Sequence, residues 1–253
     1  SMVYNHENIS ISKSQIKEFQ ALIRERSKGK PVSRIINKRD FWKGAFSLNE
    51  ETLDPRPDSE VLIISILDQH KDKSQRLKIL DLGSGSGCLG LSLAEEYQNS
   101  NITFLDISEK SLEIVKNNAY KLQSKRKLNF IALDWHEQDW NKKLLKNEKK
   151  RKFDIIVSNP PYIPSKQIKF LQKEVKDYDP IMALDGGCDG LKAYRAIIPK
   201  LKFLLKTNGK LFFEIGKGQE EAVSEIASDN GLICFNYNKD LSGIIRVLIF
   251  IIK

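Results

Sequence analysis

The segment Asn159-Pro160-Pro161-Tyr162 directly follows an apolar run, and its residue types indicate a site that holds an amino group. Two consecutive prolines stiffen the backbone and lack N–H donors, so nearby carbonyl groups stay free to accept hydrogen bonds. The side-chain oxygen of Asn159 and the carbonyl of Pro160 form an acceptor pair suited to an –NH2 group. Tyr162 offers a flat face on which a planar amide or base can stack. We therefore predict that Asn159, Pro160 and Tyr162 are catalytic and that the whole segment binds the substrate.

Such an acceptor pair could prepare a poor nucleophile for reaction. The nitrogen of an amide or arylamine is weakly nucleophilic because its lone pair is delocalised. Two acceptors would orient both N–H bonds, aim the nitrogen at a methyl donor and stabilise the positive charge that develops on it. No charged general base is then required. The alternative is a proline-rich turn that merely follows a strand.

A second signal is a glycine-rich turn after another apolar run, formed by Gly83, Ser84, Gly85, Ser86 and Gly87. Glycines let the backbone turn tightly and let a ligand approach main-chain atoms. A dinucleotide site requires the spacing G-x-G-x-x-G, with pyrophosphate at the N-terminus of the next helix. The spacing G-x-G-x-G resembles instead motif I of methyltransferases that use S-adenosylmethionine, a ligand without pyrophosphate. A tight turn without any ligand is the alternative.

Polar residues at the ends of the next two predicted strands extend this signal. Asp106 follows the glycines by about 20 residues, where a carboxylate can accept hydrogen bonds from both hydroxyl groups of a ribose. Asp134 could meet the edge of an adenine, and the indole of Trp135 could supply an apolar wall. Aspartates at strand ends also cap helices, so each is weak evidence alone. Together they predict a nucleoside site.

An alternating pattern of strands and helices would bring these residues together. Helical stretches separate several apolar runs, a pattern typical of βαβ units and of a mostly parallel sheet buried on both faces. The carboxyl ends of such strands meet at one edge, where α/β folds bind nucleotides. The β-branched segment 244–252 predicts a final antiparallel edge strand. The predicted parallel strands cover residues 78–82, 102–106, 128–133, 153–158 and 210–215.

Two smaller elements are expected before this pattern begins. A helix should start near Ser12 or Ser14 and carry an apolar stripe at helical spacing. Aromatic and branched residues between positions 34 and 53 predict a β-hairpin. Asp58 or Ser59 is expected to cap a further helix.

Composition limits the class of protein. The 253 residues are 40% hydrophobic and 30% charged, which indicates a globular chain with a sizeable core. The apolar runs are far shorter than the stretch of about 20 residues that spans a bilayer, and residues 1–9 resemble a loose leader rather than a secretion signal. We therefore expect a cytoplasmic protein without a membrane partner. The three cysteines and three histidines lack metal-ligand spacing, so we expect neither a metal site nor a disulfide framework.

Further motifs on both sides of these segments resemble the release factor glutamine methyltransferases, over about residues 29 to 250. The N-P-P-Y segment is shared by DNA adenine, rRNA guanine and protein glutamine methyltransferases, whereas the combination of flanking motifs is specific. Those motifs are Gly29-Lys30-Pro31-Val32, Phe41-Trp42, Pro55-Arg56-Pro57-Asp58-Ser59-Glu60, Ile163-Pro164, Ala183-Leu184-Asp185-Gly186-Gly187, Asp189-Gly190-Leu191, Phe213-Glu214-Ile215-Gly216, Asp240-Leu241-Ser242-Gly243 and Arg246.

The resemblance implies an α/β fold of the Rossmann-like class I methyltransferases over residues 55–253. It implies methyl transfer from S-adenosylmethionine, without a metal, to the side-chain amide nitrogen of the glutamine in the Gly-Gly-Gln motif of class 1 peptide chain release factors. The glycine-rich turn, Asp106 and Trp135 would line the cofactor site, with Asn159 near both ligands. The helix and hairpin of residues 1–54 would bind the release factor, without any need for nucleic acid.

The sequence departs from the family pattern at three places. Fewer than 30 residues precede Gly29, where the family usually has a longer helical region, so we expect either a trimmed amino-terminal region or weaker binding of the partner. Asp54 stands where the family usually has an aliphatic residue. Ile244 and Ile245 replace a more polar pair before Arg246.

Two other functions stay open. A net charge of +9 and a lysine-rich run at residues 142–152 would suit an amino-methyltransferase that acts on RNA or DNA bases. The run itself more simply predicts a solvated loop. A non-catalytic nucleoside-binding protein is the other alternative, but it would have no need of an amine-aligning segment.

Overall fold

The computed structural model describes residues 10–124, 127–149 and 151–253, so the leader expected at residues 1–9 lies outside the described residues. The strands are β1 (Lys38–Phe41), β2 (Gly44–Ser47), β3 (Lys78–Leu82), β4 (Asn101–Asp106), β5 (Lys127–Ala132), β6 (Phe153–Ser158), β7 (Leu205–Glu214), β8 (Leu232–Lys239) and β9 (Ile245–Ile252). The helices are α1 (Lys13–Ser27), α2 (Val32–Ile35), α3 (Glu60–Gln69), α4 (Cys88–Glu96), α5 (Glu109–Lys121), α6 (Trp140–Asn147), α7 (Ser165–Ile168), α8 (Lys173–Lys176), α9 (Ile181–Leu184), α10 (Lys192–Leu204) and α11 (Glu220–Asp229), with a 3-10 turn at Pro57–Ser59. Within these ranges, no helix is both long and apolar enough to cross a bilayer.

The main sheet has seven strands in the order β5-β4-β3-β6-β7-β9-β8. The first five of these are parallel, β9 pairs antiparallel with β7, and β8 pairs antiparallel with β9. The predicted Rossmann-like fold class is confirmed. The last strand is antiparallel, but it lies one place inside the edge because β8, which the sequence pattern did not reveal, is the outermost strand.

The central strands are buried on both faces, as their nearly continuous apolar sequences predict. On one face, Tyr194 of α10 and Val223 of α11 belong to a buried apolar cluster. On the other face, Ile63 of α3 packs in a second cluster with Phe104 of β4. Phe46 of the β1–β2 hairpin is buried in that second cluster too, so the hairpin shares a core with the sheet.

The lysine-rich run at residues 142–152 is partly helical, so the predicted loop is wrong for the residues of α6. Trp140 and Leu144 lie one turn apart on α6, and both are buried in the core. This spacing anchors a helix while Lys142 and Lys143 remain exposed. The carboxyl ends of the parallel strands open on one edge of the sheet, as the nucleoside prediction requires.

Candidate active site

A cavity of about 450 Å³ lies at that edge and contains residues from both sequence signals. We call one part of its lining the cofactor side, formed by residues 83–86, 106–108 and 134–136. We call another part the acceptor side, formed by Arg56, Ser59, Asn159, Pro161 and residues 180–183. Three predicted site residues, Gly87, Pro160 and Tyr162, lie next to the lining but are not part of it.

The glycine-rich turn is shaped by its neighbours. The N–H groups of Gly83 and Ser84 donate to the Leu105 carbonyl, at 2.8 and 3.1 Å. A Cβ atom at Gly83 would lie 2.9 Å from the indole of Trp135, so the indole covers this glycine and excludes a side chain. Gly87 has a left-handed conformation, with φ of 78°, at the start of α4. Gly87 thus begins the helix, and its predicted cofactor-binding role stays a prediction.

Asp106, at the end of β4, hydrogen-bonds with the glycine-rich turn. Its Oδ2 atom accepts from the Gly85 N–H at 2.8 Å, and its Oδ1 atom accepts from the Ser108 N–H at 2.9 Å. Burial raises the pKa of Asp106, and these backbone hydrogen bonds oppose the shift. The carboxylate keeps acceptor capacity for a ligand hydroxyl. Asp134 accepts from the His136 N–H at 2.8 Å in a turn that presents Trp135 to the cavity.

The cofactor side fits a nucleoside that carries a polar tail. The space where a Cβ atom of Gly85 would lie is open to at least 4 Å. In the part of the chain that the structure describes, Ser84 Oγ and Asp81 Oδ1 are buried without a hydrogen-bond partner. Burial raises the pKa of Asp81 to about 7, although the Gly90 N–H donates to its other oxygen. Asp81 is not part of the cavity lining, so the unpaired atom that a bound ligand of this kind would satisfy is Ser84 Oγ, which is part of it.

Asn159 lies on the acceptor side, immediately after β6. Its Nδ2 atom donates to the hydroxyl oxygen of Ser59 at 3.1 Å. The oxygen at the other end of the planar amide is therefore directed away from Ser59. Pro160 is buried behind Asn159, while Pro161 lines the cavity. The predicted catalytic roles of Asn159 and Pro160 stay predictions.

The hydroxyl group of Tyr162 holds this side chain in place. Its hydroxyl donates to Glu214 Oε1 at 3.3 Å, and Glu214 is buried at the end of β7. Burial raises the pKa of Tyr162, and the nearby Glu214 carboxyl raises it further. Burial also raises the pKa of Glu214 to about 7, against the lowering effects of Ser59 and Arg246. The stacking role of Tyr162 stays a prediction.

Gln219 is a positioning residue that the sequence pattern did not reveal. Its Nε2 atom donates to the Tyr162 carbonyl at 3.0 Å and to the Gly190 carbonyl at 3.3 Å. Its Oε1 atom accepts from the Gly216 N–H at 2.9 Å. A Cβ atom at Gly190 would lie 2.4 Å from the Tyr162 carbonyl oxygen, so the close approach requires glycine. One amide group thus joins three separate segments around the acceptor side.

A buried ion pair ties the N-terminal region to the cavity wall. Arg34 of α2 donates to Asp179 Oδ1 at 2.6 Å, with the side chains only 6% and 1% exposed. Arg56 pairs with the other oxygen of Asp179. Residues 180–183, which follow directly, form part of the acceptor side. Arg34 and Asp179 are 145 positions apart, and a contact between residues so distant leaves no local pattern in the sequence. The sequence analysis therefore did not identify Asp179.

Asp54, which departs from the family pattern, has polar partners. Its Oδ2 atom accepts from the Ser33 hydroxyl at 2.6 Å, and Arg39 lies 3.5 Å from its Oδ1 atom. These contacts show how the fold accepts a carboxylate at a usually aliphatic position. As for metals, the described residues contain no group of three or more His, Cys, Asp and Glu side chains placed to hold an ion.

Comparison with known proteins identifies the family of this chain. The family model of the methyltransferase small domain matches residues 43–176. A release factor glutamine methyltransferase from Agrobacterium fabrum is 37% identical over 95% of this chain and 81% of that protein. The chain belongs to the release factor glutamine methyltransferase family. The predicted family is therefore confirmed.

Two other matches concern length and fold. A bifunctional methyltransferase from Rickettsia conorii is 35% identical over 95% of this chain, but the chain spans about half of that protein, 48% of its length. Among solved structures, the T. thermophilus 16S rRNA N2 G1207 methyltransferase in complex with AdoMet and guanosine gives a TM-score of 0.56 at 15% identity. That match covers 85% of this chain and 50% of the other, and it shows a shared fold alone.

Proposed function

We propose that this chain transfers a methyl group from S-adenosylmethionine to the side-chain amide nitrogen of the glutamine in the Gly-Gly-Gln motif of class 1 release factors. The observation that carries the proposal is that Asn159, with its Nδ2 atom held by Ser59, lines the same cavity as the glycine-rich turn, Asp106 and Trp135. The name of the Agrobacterium fabrum relative supports the choice of a release factor glutamine as acceptor.

S-adenosylmethionine would supply a methyl group activated on a sulfonium centre. On the cofactor side, the backbone of the glycine-rich turn would receive its amino-acid part. Asp106 would accept hydrogen bonds from the ribose, and Trp135 would cover the adenine. Ser84 would gain a partner for its buried hydroxyl. We propose no metal for this reaction.

On the acceptor side, the chain's own groups would orient the amide. Asn159 Oδ1 and the Pro160 carbonyl would accept the two N–H groups of the glutamine side chain and hold its nitrogen toward the cofactor side. As the nitrogen bonds to the methyl carbon, the carbon–sulfur bond would break and S-adenosylhomocysteine would leave. The same oxygens would stabilise the positive charge on nitrogen until its proton is lost to water. Tyr162 would support the segment from below through Glu214.

We propose that residues 1–54 contact the release factor and that residues 55–253 carry both sides of the cavity. The apolar stripe of α1 supports this division, because Phe19 and Ile23 are 61% and 51% exposed. Phe19→Asp should raise the KM for the release factor without changing the KM for S-adenosylmethionine. Tyr120→Asp, on an exposed aromatic residue of α5, is the matched control. An unchanged KM for the release factor in Phe19→Asp would remove α1 from the contact.

We also propose a cytoplasmic location, because Cys88, Cys188 and Cys234 are all free thiols, as in a reducing compartment. Methylation of RNA or DNA bases is the second candidate. The net charge of +9 and the exposed lysines of α6 favour it.

The deciding experiment measures transfer of labelled methyl groups to three acceptors in parallel. These are a class 1 release factor, the same factor with the Gly-Gly-Gln glutamine replaced by alanine, and total RNA plus DNA. Label on the first acceptor alone is expected. Label on nucleic acid would favour the second candidate, and cofactor binding without any transfer would favour a non-catalytic role.

A further inference from the structure

Ser59 is a buried hydroxyl residue on the acceptor side of the cavity. It ends the 3-10 turn Pro57–Ser59 and precedes α3, where a serine commonly caps the helix. Its side chain makes no capping hydrogen bond, contrary to the capping role expected from the sequence. Its oxygen accepts from Asn159 Nδ2 instead, across 100 positions of the chain.

We propose that Ser59 is a positioning residue that fixes the side-chain amide of Asn159 with its oxygen toward the acceptor substrate. An amide has acceptor capacity at its oxygen and donors at its nitrogen, and rotation by about 180° exchanges the two ends. The rotated form would direct the N–H groups of Asn159 at the –NH2 group of the substrate. Donors would then face donors, and the substrate nitrogen would lose one of its two acceptors.

Glu214 gives the contact between Ser59 and Asn159 its direction. A serine hydroxyl can donate or accept, so Ser59 alone could pair with either end of the amide. Ser59 lies close enough to the Glu214 carboxyl to oppose the rise in its pKa, and that carboxyl accepts from the Tyr162 hydroxyl at 3.3 Å. A Ser59 proton directed toward this acceptor would leave the Ser59 oxygen free to accept from Asn159 Nδ2, which lies 3.1 Å away. Asn159 Oδ1 then faces away from Ser59.

This inference rests on the proposed function, so the wild-type chain is first assayed on the release factor. Ser59→Ala should lower kcat for methyl transfer roughly tenfold, the effect of losing one hydrogen bond that orients the amide. The Kd of S-adenosylmethionine should stay within about twofold, since Ser59 lies on the acceptor side. Ser59→Cys, with nearly the same shape and a weak acceptor, replaces the alanine variant if that one does not fold.

The matched control is Ser65→Ala on α3. It removes another buried hydroxyl, which donates to the Val61 carbonyl at 2.6 Å, away from Asn159. Its kcat should match that of the wild type. Melting temperatures of both variants show how far each substitution changes stability.

A double-mutant cycle separates positioning from a merely structural role. In the Asn159→Ala background, Ser59→Ala should change kcat by less than about twofold, because no amide is left to orient. Full additivity of the two substitutions, or wild-type kcat in Ser59→Ala, would overturn the inference. A wild-type chain that labels nucleic acid instead of the release factor would overturn the proposed function, and the cycle would then be measured on that acceptor.

Discussion

The cofactor side of the cavity is held by contacts between neighbouring βα units, whereas the acceptor side is held by contacts between distant parts of the chain. Asp106 reaches Gly85 across 21 positions. On the acceptor side, Asn159 reaches Ser59 across 100 positions, and Asp179 reaches Arg34 across 145. A parallel sheet places the first kind of contact automatically. The second kind depends on how the N-terminal region docks on the sheet.

This difference has a consequence for stability and specificity. The cofactor side needs the sheet and its glycine-rich turn, so a cofactor site of this type can be kept while acceptors change. The acceptor side needs buried polar contacts between residues that are far apart in the sequence. Such contacts cost much when one partner is lost, because the other partner stays buried without compensation.

The largest expected effect comes from Asp179→Ala. Removal of this carboxylate leaves the buried guanidinium of Arg34 without its ion-pair partner. The free energy of unfolding, measured by urea denaturation, should fall by about 3–5 kcal/mol. Asp177→Ala, in the same loop but exposed, is the control. If the two variants were equally stable, the acceptor side would not depend on the N-terminal region. The difference between the two sides of the cavity would then not hold.

Asn159→Ala should lower the rate of methyl transfer by about 10²–10³, the effect of losing one preorganised polar group. The affinity for S-adenosylmethionine should change only a few-fold, since the cofactor side keeps its own contacts. Asn208→Ala, on an exposed part of β7, is the control. Near-wild-type turnover of Asn159→Ala would remove this residue from the mechanism.

The pH dependence of the stability of Glu214→Gln, relative to the wild type, tests the cost of burying the Glu214 carboxyl. Burial raises the pKa of Glu214 from 4.5 to about 7, so the folded state keeps its proton while the unfolded state loses it. Wild-type stability relative to the variant should therefore be full below pH 4.5 and fall as pH rises to about 7. The loss should reach about 3 kcal/mol. Asp81 titrates in both proteins, so its contribution to the difference cancels. A difference in unfolding free energy that does not change with pH would contradict the cost of burying Glu214.

Asp106→Ala should have the smallest effect and act on the other side of the cavity. Loss of charged hydrogen bonds to the ribose should weaken S-adenosylmethionine binding about 10- to 100-fold, as measured by titration calorimetry. The rate at saturating cofactor should change less. Asp229→Ala, at the exposed end of α11, is the control. Unchanged affinity in Asp106→Ala would show that the ribose is held elsewhere.

Much of the fold could be predicted from the sequence, because the parallel strands are short apolar runs separated by helices. β8 was missed since its outward residues include Phe235 and Tyr237, which are half exposed and break the pattern of a buried strand. α6 was missed because its lysines concealed the spacing of Trp140 and Leu144. The lysines gave this segment the sequence pattern of a solvated loop, whereas the burial of Trp140 and Leu144 stabilises a helix there.

The candidate site divides in the same way. The glycine-rich turn, Asp106 and Asn159 could be found because each lies at the end of a predicted strand or directly after it. The sequence also singled out Ser59, but as a helix cap, and it gave no signal for Gln219. Both residues act through partners that are more than 50 positions away, at 100 and 57 positions. Periodicity and spacing describe neighbours along the chain, so they cannot specify such pairs.

The indole that covers Gly83 gives this molecule an internal optical reporter. Trp135 lines the cavity, while Trp140 is enclosed in the core and Trp42 donates to Glu96 at 2.9 Å. Filling of the cofactor side would change the surroundings of one indole and leave the emission of the other two as an internal reference. Ligand occupancy could thus be followed by intrinsic fluorescence, in unlabelled protein and without any turnover.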